Sequence, residues 1–298
     1  MLKLLAGVVV VGVCTSLLVP ALMAQSAQAE LSTPVVVIPM DHSSGHVVVD
    51  VYIGDKGPYL FQVDTYASID ACLDDDVARE LGFPVVGTTL NSDGHNTTTR
   101  NLVSIPELRL GGATFKDART LVDDYGWIGE RNGRSVDGLL GFTLFRELML
   151  TFDYPNSQLV LSHEIMSAEA THSIPFRTPS GSPDIEISMG DTTLEFGIDT
   201  GLGGALSLHK EDADVLPLAG ELKVIGQART VYSTFDIYGG ELEQSATLAG
   251  HSLEDLSVTF TEGAGRRLLG HEVLKHFAVS FDQRSQRVQF ARELRPEP

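Results

Sequence analysis

The sequence predicts an all-β protein with a few short helices, built as two similar lobes around a pseudo-twofold axis. Three observations carry this prediction. Short motifs recur in the same order in the two halves of the chain, and an ordered repeat signals duplication of a structural unit. The segments between them are short β-rich runs bounded by Gly, Pro, Asn or Asp. Helical signals are few and brief.

The repeat is read motif by motif. Phe61-Gln62-Val63-Asp64-Thr65 is echoed by Phe196-Gly197-Ile198-Asp199-Thr200, 135 residues further on. Each is preceded by an alternating run and a Gly turn, Val49 to Ile53 with Gly54 and Ile185 to Met189 with Gly190. Leu110-Gly111-Gly112 with Phe115 and Asp117 is echoed by Leu248-Ala249-Gly250 with Leu253 and Asp255. Leu139-Leu140-Gly141 returns as Leu268-Leu269-Gly270, and Thr151-Phe152-Asp153 returns as Ser280-Phe281-Asp282, both at an offset of 129. The same offset carries Leu159-Val160-Leu161 onto Val288-Gln289-Phe290. The drift in offset places loop insertions between matched strands. Three short helices are expected. One starts at Asp74-Asp75-Asp76 and runs through Leu81, with Gly82 as its stop and Pro84 beyond. The others cover Phe142 to Leu148 and Glu272 to Phe277, after the two Leu-Leu-Gly triplets.

These elements bound the domains. The lobes are expected at 34–164 and 172–293. The Pro-, Ser- and Thr-containing stretch from Ser162 to Ser182 reads as the connection, with 165–171 as the linker proper. Residues 1–29 read as a signal peptide: Lys3, an apolar run from Leu4 to Met23, then Ala27-Gln28-Ala29 before Glu30. The alternative for the run is an uncleaved membrane anchor. A periplasmic or secreted location follows from the cleavage pattern. No other apolar run is long enough to span a membrane.

Composition narrows the function. The chain has 21 Lys+Arg against 40 Asp+Glu, a formal net charge of -19. Residues 1–29 hold Lys3 as their one charge, so cleavage leaves 20 against 40, net -20. Phosphate binding needs clustered Lys and Arg, so nucleic-acid binding is excluded. Two cysteines, Cys14 and Cys72, give neither a disulfide framework nor a Cys-based zinc site.

The chemistry concentrates at Asp64 and Asp199. In each half an apolar strand runs directly into Asp-Thr, so each acid is delivered at the end of a buried strand. An acidic group there is costly unless paired or hydrogen-bonded. If the lobes pack about a twofold axis, the two carboxyls meet on it. Carboxyls about 3 Å apart do not both ionise readily, and they share a proton. Such a pair can deprotonate a water with one member and hydrogen-bond a scissile carbonyl with the other. The aspartic-protease dyad is the known instance of that arrangement.

On these residues the sequence resembles the aspartic peptidase superfamily, in its bacterial, retropepsin-like branch with two fused, pepsin-like lobes. The resemblance covers nearly all of 34–293. Ile198-Asp199-Thr200-Gly201 followed by Leu268-Leu269-Gly270 fits the family pattern of an apolar strand, Asp-Thr-Gly, and a later apolar-apolar-Gly. Val63-Asp64-Thr65-Tyr66-Ala67 followed by Asp137-Gly138-Leu139-Leu140-Gly141 fits it with one departure. The resemblance implies a bilobal acid-protease fold, with Asp64 and Asp199 catalytic. It implies that Thr65, Thr200 and Gly201 support the active-site turns, and that Gly141 and Gly270 belong to ψ-shaped loops. It places a flap at Thr88 to Asn101 and implies a peptide or protein substrate, with no cofactor, no metal and no requirement for an oligomer. The departure is Tyr66, where the family has Gly. Its ring either crowds the dyad or lines the substrate cleft. Two functions fit: an aspartic-type endopeptidase, and a catalytically impaired relative that binds peptides.

Other motifs are read as structural. Gly201-Leu202-Gly203-Gly204 lacks the third Gly of a dinucleotide loop, since Leu206 stands there. His42 with His46, and His271 with His276, lack metallohydrolase spacing and read as surface or packing histidines. No Gly-x-Ser-x-Gly elbow occurs. Asn96-Thr97-Thr98 is a glycosylation sequon. Trp127 sits in a Gly-rich loop, as part of the packing or as a cleft wall.

Overall fold

The computed structural model describes residues 9–10, 15–17, 27–92, 96–131, 133–229, 234–254, 256–262 and 265–292. Most of the expected signal peptide, Cys14, the Trp127 side chain and the tip of the expected flap lie outside the described residues. The strand Gln28–Leu31 pairs with Ala113–Lys116, so the expected cleavage site after Ala29 falls within it.

Each half of the chain forms its own sheet. In the first, Val48–Ile53 and Lys56–Asp64 make a hairpin, and Gly138–Gly141 lies beside Lys56–Asp64. The long strand Thr97–Leu110 pairs with Gly87–Ser92, with Val48–Ile53 and with Ala113–Asp123, which closes the sheet on itself. In the second half, Asp184–Met189 and Thr192–Ile198 make the matching hairpin. Leu268–Leu269 lies beside Thr192–Ile198, and Lys223–Arg229 with Thr234–Glu241 forms a long hairpin.

Burial explains these assignments. Val49, Val51 and Ile53 face inward while Asp50 and Tyr52 face out, the period-two pattern of a one-sided strand. Leu60 to Asp64 is buried without interruption. A strand covered on both faces shows no alternation, and its apolar run then ends on the acid.

The sequence reading had two lobes; the structure adds a third sheet that both lobes build. Its six strands run in the order Ser173–Pro175, Arg287–Ala291, Ala278–Asp282, Met149–Asp153, Gln158–Ser162, Val35–Pro39. The order is symmetric about the central antiparallel pair, in which Thr151 faces Ser280. These two residues are equivalent under the 129-residue offset, and their hydroxyls meet at 2.8 Å. The twofold axis therefore passes between them. Phe152 and Phe281, also equivalent, pack edge-to-face at 6.1 Å, with Phe142 and Phe176 against Phe281. One continuous apolar core thus spans both lobes.

The helices are as short as expected or shorter. Asp75–Leu81 is an α-helix capped by the Asp74 side chain, which accepts from Asp76 N at 3.0 Å. It stops at Gly82, whose φ of 69° suits glycine. The expected helix over Phe142 to Leu148 is a 3₁₀ turn at Phe142–Phe145. That over Glu272 to Phe277 is a single α-turn at His271–Leu274. Both must return the chain to the shared sheet within a few residues, which leaves no length for a longer helix.

Candidate active site

The strands Lys56–Asp64 and Thr192–Ile198 end at the same place. After Asp64 the chain turns, and the amides of Tyr66 and Ala67 donate to Asp64 Oδ1 at 2.8 and 3.2 Å. After Asp199 the Gly201 amide donates to Asp199 Oδ1 at 2.7 Å. The threonines tie the turns together. Thr65 Oγ1 donates to Ile198 O and Thr200 Oγ1 donates to Val63 O, each at 2.7 Å. Each hydroxyl in turn accepts from the other threonine's amide, at 3.0 and 3.1 Å. The brace is symmetric and crosses between lobes, so neither turn moves alone.

The glycines of the Leu-Leu-Gly triplets lock the turns from behind. Gly138–Gly141 runs parallel to Phe61–Asp64 and antiparallel to Ala71–Leu73, while Leu268–Leu269 holds the matching position. Gly141 has a φ of -90°, open to any residue; space is what excludes a side chain. A Cβ there would lie 2.0 Å from Ile69 O and 2.7 Å from Ala67 O. At Gly270 it would lie 2.5 Å from both Leu202 O and Gly204 O.

Asp64 and Asp199 are both 0% exposed. Their Oδ1 atoms are hydrogen-bonded to the turns, whereas Asp64 Oδ2 and Asp199 Oδ2 have no donor among the described residues. A Cβ on Gly201 would lie 3.0 Å from Asp64 Oδ2 and 3.0 Å from Asp199 Oδ1, which puts the two oxygens within 6 Å of each other. At that range the two carboxyls act on each other's ionisation. Burial is the main cause that pushes both above the ordinary carboxylate range. Asp199 is pushed further by the negative charge of Asp64, while the Tyr66 and Ala67 amides favour the ionised form of Asp64. Two buried carboxyls that act on each other lose their protons in two steps, and between those steps they share a single proton.

Tyr66 requires a correction. As a cleft-lining residue it would be exposed, yet it is 0% exposed. Its ring crosses into the second lobe and packs with Leu202 and Leu268. It covers Gly197, where a Cβ would lie 2.1 Å from Tyr66 Cε2. Its hydroxyl donates to Asp184 Oδ1 at 3.3 Å, and Asp184 Oδ2 receives Arg266 Nη1 at 2.8 Å. Burial and the Asp184 charge both raise the phenol's pKa, so it stays a donor. The ring has room because Gly197 replaces Gln62, its counterpart in the first lobe.

Two further features were not anticipated. The loops Ser44-Gly45-His46 and Ser180-Gly181-Ser182 each lean on the opposite lobe's turn. Gly45 approaches Gly203, Gly181 approaches Ser68, and Ser182 Oγ donates to Tyr66 O at 2.9 Å. The Ser-Gly pair at the same place before each hairpin was the signal for them. The second feature is a cross-lobe imidazole pair, His42 Nδ1 to His271 Nε2 at 3.1 Å. The packing reading of these histidines did not foresee their contact, because nothing in sequence links positions 229 apart.

The imidazole pair makes stability depend on pH. His42 Nε2 lies 3.1 Å from Tyr154 O, so it carries the proton there and His42 Nδ1 accepts from His271. His271 also faces Glu272, with Lys275, His46 and Tyr154 nearby. Burial, then the neighbouring His42, lower its pKa to about 4. An unfolded histidine titrates near 6.5. The neutral form favours folding above that value, and the advantage is lost as pH falls from about 6.5 to 4. The stability difference between wild type and His271→Gln is expected to shrink by roughly 3 kcal/mol between pH 7 and pH 4. Urea unfolding of both proteins at each pH checks this; a difference independent of pH refutes it.

Comparison with known proteins agrees with the geometry. Residues 49–144 match the aspartyl protease family model. The crystal structure of an aspartic proteinase from Irpex lacteus superposes with a TM-score of 0.53 at 13% identity, over 87% of this chain and 97% of that one. Basic 7S globulin from soybean superposes with a TM-score of 0.52 at 13% identity, over 86% and 94%. At that identity the likeness establishes the fold. No curated protein sequence matches the chain. The class defined is thus the bilobal aspartic-proteinase fold. The family match itself lies in the first lobe, over residues 49–144.

Proposed function

We propose that this chain is an aspartic-type endopeptidase that acts through Asp64 and Asp199. The observation that carries the reading is the pair of buried carboxyls whose Oδ2 atoms alone lack donors among the described residues. In the reactive state the pair holds a single proton, and the cycle runs with Asp64 as the base and Asp199 as the acid. A water between them gives its proton to Asp64 as its oxygen bonds to the scissile carbonyl carbon, while Asp199 donates to the carbonyl oxygen. The resulting diol collapses: the C–N bond breaks, the amine nitrogen takes the proton from Asp64, and Asp199 recovers its own from the diol. The Ala27-Gln28-Ala29 pattern supports export to the periplasm or outside the cell, which would yield a chain beginning at Glu30, measurable by mass spectrometry of the exported protein.

The test is a peptide-library digest from pH 3 to pH 9. Activity needs the singly protonated pair, so it should fall as pH rises past the pair's upper apparent pKa. Burial raises both groups, Asp64 to about 7 and Asp199 with the added push of the Asp64 charge, so the decline is expected above neutrality. A chelator should leave it unchanged. A chain inert at every pH that still binds peptides would instead be the impaired relative.

A further inference from the structure

We propose that Tyr66 is a specificity-determining residue, whose ring plugs a side pocket on the second-lobe flank of the dyad. That side of the scissile bond is thereby restricted to a residue with a small side chain. The inference rests on the peptidase reading of the same site.

Direction comes first. The turn residue after Asp-Thr has its Cβ direction facing the dyad, since a Cβ on Gly201 would lie 3.0 Å from Asp64 Oδ2 and from Asp199 Oδ1. Tyr66 holds the equivalent position in the first lobe. Its side chain therefore leaves from the rim of the dyad, where a residue flanking the scissile bond must pass.

Occupancy comes second. The ring fills a cage of Gly197, Leu202 and Leu268, and its hydroxyl reaches the Asp184–Arg266 pair. Past that cage lies a cavity of about 250 Å³, walled in part by Gly197, Asp184, Arg266 and His209. The ring packs on two residues of that wall, Gly197 and Asp184, and springs from the turn that holds Asp64. On the first-lobe flank Gly201 has no side chain, and the position matching Gly197 is held by the buried Gln62. The protein thus sets an aromatic ring on one flank and the Gln62 side chain on the other.

Removing the ring should create a pocket shaped for a phenol, as deletion of a buried side chain leaves a cavity that binds its like. Tyr66→Gly keeps the amide that holds Asp64 and loses the ring together with its hydroxyl's bond to Asp184. Wild type is expected to cleave peptides with Gly or Ala on one side of the bond. Tyr66→Gly should accept Tyr there, raising the ratio of kcat/KM for tyrosine over alanine peptides about 10²-fold. p-Cresol should bind the variant, compete with tyrosine peptides, and leave wild type unaffected. Tyr66→Leu, which retains apolar filling, should show the same shift to a smaller extent and serves if the glycine variant does not fold. Peptide binding is measured in parallel in the Asp199→Asn background. Absent cleavage with a shifted binding preference overturns the peptidase reading and keeps the plug. Active cleavage with the same peptide ranking in wild type and both variants overturns the plug.

Discussion

Asp64→Asn and Asp199→Asn are each expected to lower kcat/KM for peptide hydrolysis by about 10³-fold or more, and to make the protein more stable at neutral pH. The loss follows from removing one member of a pair that must be both base and acid. The gain follows from burial. Both carboxyls are raised above their unfolded values, Asp64 to about 7. An acid raised on folding costs nothing below its unfolded pKa near 3.9, and its cost grows as pH climbs through the folded value. Asparagine keeps an oxygen for the turn amides and carries no charge. The variants should therefore match wild type in stability at pH 3 and exceed it by several kcal/mol at pH 8. Chemical denaturation at both pH values checks the sign. Equal stability at pH 8 would mean that the native dyad is not under electrostatic strain.

Gly141→Ala is expected to have the largest effect on folding. Its Cβ would lie 2.0 Å from Ile69 O and 2.7 Å from Ala67 O, backbone atoms that cannot rotate away. Ala67 N holds Asp64, so relief in that direction pulls the dyad apart. A destabilisation above about 4 kcal/mol is expected. For a chain of this size that corresponds to a fall in Tm of roughly 10 °C or more. Gly87→Ala is the control, since a Cβ there meets nothing within 4 Å. A Gly141→Ala protein that melts together with Gly87→Ala would refute the argument.

What the sequence made legible was what local rules compel. Phe61 to Asp64 and Phe196 to Asp199 had to be buried strands ending in acids, and Gly141 and Gly270 fell at matching positions after them. The Asp74 cap and the Gly82 stop are governed by neighbouring residues and could be read directly. The illegible parts depend on distant partners. The destination of the Tyr66 ring is decided by Gly197, 131 residues away, whose missing side chain makes the space. The His42–His271 contact and the shared six-stranded sheet likewise join segments whose nearness is set only after both lobes have formed.

The shared sheet also governs the order of events during synthesis. Met149–Asp153 borders Gln158–Ser162 on one side and needs Ala278–Asp282 on the other. Until the ribosome has delivered residue 282, the completed first half carries an open strand that includes Leu150 and Phe152. Such an edge accepts any extended chain, including the same strand of another nascent copy. Closing it spans well over a hundred residues, and contacts of that range form late. Translation, not the strength of any single contact, therefore sets how long the half-made molecule is exposed to mispairing.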